Sequence, residues 1–410
     1  MSTSDERVFV IVGASLAGAK AAETLRAAGF GGRVVLIGEE PVRPYERPPL
    51  SKDYLRGEVG PDKAFVHDEG FYAAQDIELR LSTQVTGLDP GANEVVLGSG
   101  ERLRYDSLLL TTGAAPRRLT VPGADLDGVR YLRTMADSDQ LRAAITAASR
   151  MVVIGAGWIG CEVAAAARQM GTDVAMVDVA RHPLERVLGP EIGRIYGAVH
   201  ADHGVELHLE VGVSELRGAG HVEAVVLQDG TVLPADLVVA GVGAAPRTEL
   251  AEAAGLTVDN GVVTDEWLAT SAPHVYAAGD VANAWHPVLE RHVRLEHWSS
   301  ALHQGPTAAN NMLGNKTPYE RVPYFYSDQY DVGMEYSGLA TEWDRVVFRG
   351  DPATREFIAF WLKDGRVAAG MNVNVWDVAE QIAELVSSKR TVDPKALADP
   401  AVELASLAHG

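Results

Sequence analysis

Two glycine-rich turns of one pattern constrain this chain more than any other feature. Residues 13–18 read Gly-Ala-Ser-Leu-Ala-Gly after the apolar run Val8–Val12, and residues 155–160 read Gly-Ala-Gly-Trp-Ile-Gly after Met151–Ile154. Each predicts a strand, a tight turn and a helix, in which the backbone approaches a pyrophosphate and the helix N-terminus offers N–H groups to it. Ser15 replaces the middle glycine of the first turn but is small enough to keep this interpretation. The chain is therefore expected to bind two dinucleotides.

An acidic residue follows each turn after a second apolar run. Glu39 follows Val34–Ile37 and Asp178 follows Val174–Val177. Both acids lie about 20 residues beyond the last glycine of their turn, where a carboxylate hydrogen-bonds an adenosine ribose.

Length, charge and cysteine content narrow the class of protein. A chain of 410 residues predicts two or three domains, and its formal net charge of −20 argues against nucleic acid or an anionic membrane as a partner. The single cysteine, Cys161, excludes an intramolecular disulfide and favours the cytoplasm. The first apolar run is too short to span a bilayer and is expected to be a core strand.

An internal echo indicates how the domains are arranged. The sequence Gly-Ala-Ala-Pro-Arg occurs at 113–117 and again at 243–247, each time after an apolar strand. We expect an α/β protein with two Rossmann-like domains, the second inserted in the first: 1–113 with 245–322 for FAD, and 114–244 for NAD. Residues 323–410 are expected to form a small α+β domain with an antiparallel sheet, a helix over Asp377–Ser388 and an irregular tail.

Six further motifs together resemble one family over nearly the whole length. The chain resembles the FAD-dependent, NADH-using ferredoxin reductases of bacterial oxygenase systems, which have the glutathione reductase-like fold. The motifs are Arg47-Pro-Pro-Leu-Ser-Lys52, Thr111-Thr112-Gly113, Gly157–Glu162, Ala278-Gly279-Asp280, Glu296-His297-Trp298 and Ser327–Tyr330.

The resemblance implies a set of cofactor-binding residues and no metal site. Those implied for FAD are Gly13, Ser15, Leu16, Ala17, Gly18, Glu39, Arg47, Lys52, Thr112, Gly113, Asp280, Glu296, His297 and Trp298. Those implied for NADH are Gly155, Gly157, Trp158, Ile159, Gly160, Glu162, Asp178 and Gly243.

Three of these residues are implied to be catalytic. Lys52 and Glu162 would lie near the flavin N5, where a lysine stabilises developing negative charge and an acid orients it. The alternative is a surface ion pair that links two domains. Trp298 would shield the flavin, or else be an ordinary core tryptophan. His297 is expected to be packed or hydrogen-bonded, since hydride transfer needs no base.

Two positions depart from the family pattern. Tyr326 stands where the family usually has tryptophan, so the contact made there can differ. Asp178 stands where a longer glutamate is common; it still favours NADH over NADPH, although Arg181 and His182 close behind leave NADPH open.

The electron acceptor follows from the missing cysteine pair. With no thiol relay, electrons should leave the flavin directly, and the resemblance implies a two-iron two-sulfur ferredoxin that feeds an oxygenase, the reductase being a monomer or a homodimer. Because the chain is acidic, docking needs a local cationic or apolar patch; Arg291 and Arg294 are candidates unless they are merely solvated. The alternatives are an NADH oxidase or quinone reductase, and an NADH-sensing flavoprotein.

Overall fold

The computed structural model describes residues 5–409. The α-helices are α1 (Leu16–Ala27), α2 (Asp53–Arg56), α3 (Phe71–Ala74), α4 (Met135–Ala147), α5 (Trp158–Gln169), α6 (Glu185–Asp202), α7 (Glu249–Ala253), α8 (Trp298–Met312), α9 (Ala379–Ser388), α10 (Pro394–Ala398) and α11 (Leu404–His409). Short 3-10 helices cover Pro48–Ser51, Pro61–Lys63, Gly279–Val281 and Pro352–Thr354.

Most of the strands are short and belong to several small sheets. In chain order they are β1 (Val8–Val12), β2 (Arg33–Ile37), β3 (Ile77–Arg80), β4 (Val85–Asp89), β5 (Glu94–Leu97), β6 (Arg102–Arg104), β7 (Ser107–Leu110), β8 (Ala114–Pro116), β9 (Val129–Arg130), β10 (Arg150–Ile154), β11 (Asp173–Val177), β12 (Glu206–His208), β13 (Val213–Arg217), β14 (Ala224–Leu227), β15 (Val232–Pro234), β16 (Leu237–Ala240), β17 (Ala244–Pro246), β18 (Val262–Thr264), β19 (Val275–Ala277), β20 (Ala282–His286), β21 (Arg291–Val293), β22 (Tyr324–Gln329), β23 (Val332–Gly338), β24 (Arg345–Asp351), β25 (Glu356–Lys363) and β26 (Arg366–Val373).

The described chain divides into two compact units. Unit 1 contains residues 5–46, 61–115 and 245–323, and unit 2 contains 47–60, 116–244 and 324–409. The return of the chain to unit 1 after residue 244 agrees with the expected insertion. The segment 47–60, which the sequence placed in the first dinucleotide domain, groups with unit 2.

Unit 1 is built on a parallel sheet in the order β19-β7-β1-β2-β3. Successive side chains of a strand point to opposite faces. Phe9 and Ile11 of β1 therefore pack into one hydrophobic core, and Val10 and Val12 pack into the other. Helix α1 follows β1 after the glycine turn and packs against α8, which places the N-terminus of α1 at the carboxyl edge of the sheet.

Unit 2 combines a parallel sheet, in the order β12-β11-β10-β16-β9, with an antiparallel sheet in the order β22-β23-β26-β25-β24. Helix α6 is kinked at Gly189, where φ is 82°, and Pro190 follows. The buried indole N–H of Trp361 on β25 donates to the carbonyl oxygen of Leu188 beside this kink, at 3.1 Å. This bond satisfies a carbonyl that the helix break leaves without its usual partner.

The C-terminal segment differs from expectation in two places. The predicted helix Asp377–Ser388 begins at Ala379, because Asp377 has a left-handed conformation with φ 62° and cannot continue a helix. The tail is not irregular: α10 and α11 form there, with Leu397 and Leu404 buried. Within residues 5–409, none of the helices is both long and apolar enough to cross a bilayer.

Candidate functional site

The first glycine turn has no room for side chains at its two outer glycines. A Cβ atom on Gly13 would overlap the carbonyl oxygen of Thr111, and one on Gly18 would overlap the carbonyl oxygen of Gly13. Gly13 also has φ 119°, which favours glycine. The Thr111 hydroxyl donates to the Gly13 carbonyl oxygen at 2.8 Å and fixes the turn against β7.

Helix α1 begins at this turn with its first N–H groups available. Ser15 is the N-cap residue and, within the part of the chain described, its side chain makes no capping hydrogen bond. The side chains of Leu16 and Ala17 are buried, so these residues present only their backbone to a ligand. A helix start of this kind binds a pyrophosphate through backbone N–H groups, and the turn therefore fits FAD.

The second turn, in unit 2, has the same features and one addition. A Cβ atom on Gly155 would overlap the carbonyl oxygen of Gly241, and one on Gly160 would overlap that of Gly155. A Cβ atom on Gly157 would meet open space, with none of the described atoms within 4 Å. Gly157 is the N-cap of α5, so a phosphate can approach the backbone here, and the turn fits NADH.

The two acids at the strand ends have partners that the sequence did not reveal. The Glu39 carboxylate forms a bidentate ion pair with Arg247, and its Oε2 accepts from Nη2 at 3.0 Å. The Asp178 carboxylate accepts from the backbone N–H groups of Ala156 at 2.6 Å and Ala180 at 2.8 Å. Asp178 therefore lies directly against the second glycine turn, as the sequence predicted.

The Asp280 segment is fixed by a residue that sequence reasoning missed. Asp280 lies half-buried in the 3-10 turn after β19, and the backbone N–H of Gly279 donates to Gln304 Oε1 of α8 at 2.8 Å. Thr112, which follows β7, donates its hydroxyl to the Arg247 carbonyl oxygen at 2.9 Å. Gly113 accepts from the Arg247 N–H, and in unit 2 Gly243 accepts from Arg117 in the same way.

The start of α8 holds the Glu296-His297-Trp298 motif. The indole N–H of the half-buried Trp298 donates to Glu46 Oε2 at 3.1 Å, which fixes the ring orientation. Burial lowers the pKa of His297 to about 4, so this imidazole is neutral at pH 7, in agreement with a packed histidine. Glu296 pairs with Arg294 at 2.6 Å, and only 12% of the Arg294 side chain is exposed. Arg294 is therefore not the solvated cation that the docking suggestion requires.

Lys52 and Glu162 form a buried ion pair in unit 2. Lys52 Nζ lies 2.8 Å from Glu162 Oε2, and the residues are only 8% and 5% exposed. The hydroxyl groups of Ser51 and Ser327 donate to the two carboxylate oxygens, at 2.5 and 2.7 Å. The alternative of a surface ion pair is wrong, because the pair is shielded from water.

Three further predicted residues lie near this cluster or near the second turn. The Trp158 ring packs edge-on against Phe325 and Tyr196, whereas Ile159 is exposed. Lys52 Nζ lies 5.7 Å from the ring centre of Tyr326, so tyrosine at this position still presents an aromatic ring to the ammonium group. Arg47 donates to the carbonyl oxygen of Arg133.

The single cysteine is placed as a packing residue. Cys161 is buried in α5, and burial raises the pKa of its thiol well above the usual value. A thiol of this kind is unreactive. Among the described residues, no group of three or more His, Cys, Asp or Glu side chains could hold a metal ion.

Two strand, glycine-turn and helix folds, each suited to a pyrophosphate, define an oxidoreductase with two dinucleotide sites. The pyridine nucleotide-disulphide oxidoreductase family matches residues 7–305, and a reductase C-terminal domain matches 324–408. The chain therefore belongs to the pyridine nucleotide-disulphide oxidoreductase family, and it is a flavoprotein that uses FAD and NADH.

Named relatives and a solved structure cover nearly the whole chain. Putidaredoxin reductase CamA of Pseudomonas putida is 39% identical, over 96% of this chain and 95% of its own length. The ferredoxin--NAD(+) reductase component of the anthranilate 1,2-dioxygenase system of Burkholderia cepacia is 40% identical, over 97% and 98%. The crystal structure of the covalent putidaredoxin reductase-putidaredoxin complex matches with a TM-score of 0.94 and 39% identity, over 98% of both chains. The resemblance and the fold class expected from the sequence are confirmed.

Proposed function

We propose that this protein passes electrons from NADH through FAD to a small two-iron two-sulfur ferredoxin that supplies an oxygenase. The observation that carries the route is the buried, isolated Cys161. Members of a disulphide oxidoreductase family that lack a thiol pair have no internal relay, so electrons leave the flavin directly. The names of the relatives, two of which refer to oxygenase or ferredoxin systems, support the acceptor.

The residues of the two turns hold the cofactors in this proposal. The backbone around residues 13–18, with Glu39, Arg47, Thr112, Gly113, Asp280 and the 296–298 motif, binds FAD. The backbone around residues 155–160, with Asp178 and Gly243, binds NADH. We retain the domain boundaries 1–113 with 245–322, 114–244 and 323–410 as part of the proposal.

Lys52 and Glu162 act on the hydride step. Bound FAD supplies the chemistry, accepting a hydride from NADH and giving up electrons singly. Lys52 contributes a fixed positive charge, and Glu162 holds its ammonium group in one place. A preorganised cation of this kind stabilises developing negative charge without reorganising.

Two choices of partner follow from charge. Asp178 disfavours a 2′-phosphate, and Arg181 lies 3.8 Å from the Glu210 carboxylate, which offsets its positive charge, so NADH is preferred over NADPH. The net charge of −20 makes long-range attraction of an acidic ferredoxin weak. Docking then depends on a local patch, and the enzyme works in the cytoplasm as a monomer or homodimer.

Anaerobic NADH oxidation tests this function. The purified yellow protein is mixed with NADH or NADPH, with and without a two-iron ferredoxin from the same organism, and Gly160→Ala serves as a variant with a blocked NADH turn. Rapid oxidation that needs ferredoxin and prefers NADH supports the proposal. Fast NADH consumption in air without a protein acceptor would favour an oxidase or quinone reductase, and a long-lived reduced flavin that ferredoxin does not oxidise would favour a sensor.

A further inference from the structure

A line of buried polar side chains extends from Glu162 into the antiparallel sheet of unit 2. Ser327 Oγ, which donates to Glu162, accepts from Gln329 Nε2 at 3.3 Å. Gln329 Oε1 lies 3.0 Å from His200 Nε2 on α6. Ser327, Gln329 and His200 are each at most 1% exposed, and together we call them the donor chain.

The hydrogens of the donor chain can be arranged in one direction only. An ionised carboxylate cannot donate, so the Ser327 hydroxyl hydrogen points to Glu162. Ser327 must then accept from the amide group of Gln329, which leaves Oε1 of Gln329 facing the ring of His200. His200 therefore carries its hydrogen on Nε2.

The far end of the chain agrees with this direction. The Tyr330 hydroxyl lies 3.4 Å from His200 Nδ1 and can donate to it, which favours the Nε2–H tautomer. Burial lowers the pKa of His200 to about 4, so the ring is neutral at pH 7 and Nδ1 is free to accept.

Other ionisable groups face the two ends of this line. His200 is faced by His203 of its own helix and by Tyr330. Glu162 is faced by Lys52 and Asp328, with Cys161 and Tyr196 beside it.

A buried line of this kind has an energetic cost that apolar residues would avoid. Well-packed hydrophobic side chains are often as stable as buried polar groups, so a fully connected polar line specifies an arrangement more than it adds stability. Here every donor converges on the carboxylate that holds the Lys52 ammonium group. The arrangement that it specifies is therefore the position of that cation.

We propose that Ser327, Gln329 and His200 are positioning residues, which act through Glu162 to fix the Lys52 ammonium group for the hydride step. This inference rests on the proposed function. It predicts that shortening or reversing the donor chain slows flavin reduction by NADH while NADH binding is retained.

Stopped-flow flavin reduction, without ferredoxin, tests the inference in the FAD-loaded protein. Ser327→Ala is expected to lower the limiting reduction rate about tenfold or more, with the NADH dissociation constant unchanged, because a hydrogen bond to a charged group is lost. Ser327→Thr keeps the hydroxyl and is expected to restore the rate. Ser337→Ala is the matched control: Ser337 is equally buried on β23, but its hydroxyl donates to Ala379 O and not to Glu162.

Gln329→Glu tests the direction of the chain, since the side chain keeps its shape but accepts on both oxygens. The Ser327 hydroxyl would turn away from Glu162, and the pKa of His200 would rise. Nitrogen-15 NMR of histidine-labelled protein reads this independently of activity: the wild type should show neutral His200 with the Nε2–H tautomer, and Gln329→Glu should show it protonated at pH 6.

The outcomes separate this inference from the proposed function. Wild-type reduction rates in Ser327→Ala, or an Nδ1–H tautomer of His200 in the wild type, would overturn the positioning role even if ferredoxin is reduced normally. A wild-type flavin that NADH reduces but ferredoxin does not oxidise would overturn the acceptor and leave the positioning role intact. Should Gln329→Glu not fold, the serine variants and the wild-type spectrum still decide.

Discussion

Removing the cation of the buried pair should cost the protein measurable stability. Lys52→Met leaves the Glu162 carboxylate in a site that is 5% exposed, without the ammonium group 2.8 Å away. Breaking a buried ion pair from one side costs about 3–5 kcal/mol, since an uncompensated charge remains. Because the hydroxyls of Ser51 and Ser327 still donate to the carboxylate, we expect the lower end, about 3 kcal/mol in the free energy of unfolding.

A double-mutant cycle isolates the interaction from other effects of the substitutions. Lys52→Met, Glu162→Gln and the double variant are unfolded in urea and followed by circular dichroism, and a coupling energy of about 2 kcal/mol is expected. Lys363 and Asp344 form the control pair, at a similar distance of 3.1 Å but with side chains 43% and 49% exposed. Their cycle should show far less coupling, because solvent screens exposed charges.

The reasoning would be refuted by a small effect. If Lys52→Met lay within about 0.5 kcal/mol of the wild type, as ordinary surface substitutions do, the carboxylate would not be held as a buried charge. The same conclusion would follow if the cycle at Lys52 and Glu162 gave no more coupling than the exposed control pair.

Three further predictions concern the cofactor turns and a buried histidine. Gly160→Ala should abolish NADH binding while FAD is retained, since the added methyl group would overlap the Gly155 carbonyl oxygen; titration calorimetry with NADH and the visible flavin spectrum measure the two effects. Asp280→Ala should release FAD, and a variant that kept stoichiometric flavin by absorbance would show that the ribityl contact is misplaced. His200 has a folded pKa of about 4, below its ordinary 6.5, so the unfolded chain binds more protons between these values and stability falls as pH drops from about 6.5 to about 4. In urea melts at pH 5 and pH 7, His200→Gln should lose less stability on acidification than the wild type.

The parallel strands could be predicted closely from the sequence. The apolar runs at residues 8–12, 34–37, 151–154 and 174–177 lie in β1, β2, β10 and β11, with at most one extra residue at a strand start. Strands buried on both faces have continuous apolar sequences, so their limits are visible without any partner. The glycine turns are equally visible, because both sterics and spacing require them.

The C-terminal tail could not be predicted in this way. Helices α10 and α11 contain five and six residues, which is too short for a helical periodicity to be recognised. Asp377 was placed in α9 because an acid commonly starts a helix, whereas its left-handed backbone is set by the turn before the helix.

The partners of the site residues were also beyond sequence reasoning. Arg247 pairs with Glu39 from 208 positions away, and Gln304 reaches Gly279 from a different element. Such contacts depend on tertiary packing, which local patterns do not encode. The Ser327–Tyr330 motif did point to the donor chain, but His200 carried no signal of its own.

The ratio of reduced ferredoxin to oxidised NADH tests the central claim most directly. Under anaerobic conditions a limiting amount of NADH is added to the flavoprotein with excess two-iron ferredoxin, and both are followed by absorbance. The proposed electron route predicts about two reduced ferredoxins for each NADH, because one hydride carries two electrons and each ferredoxin accepts one. NADH oxidation that stops after one equivalent per flavin, with ferredoxin still oxidised, would contradict it.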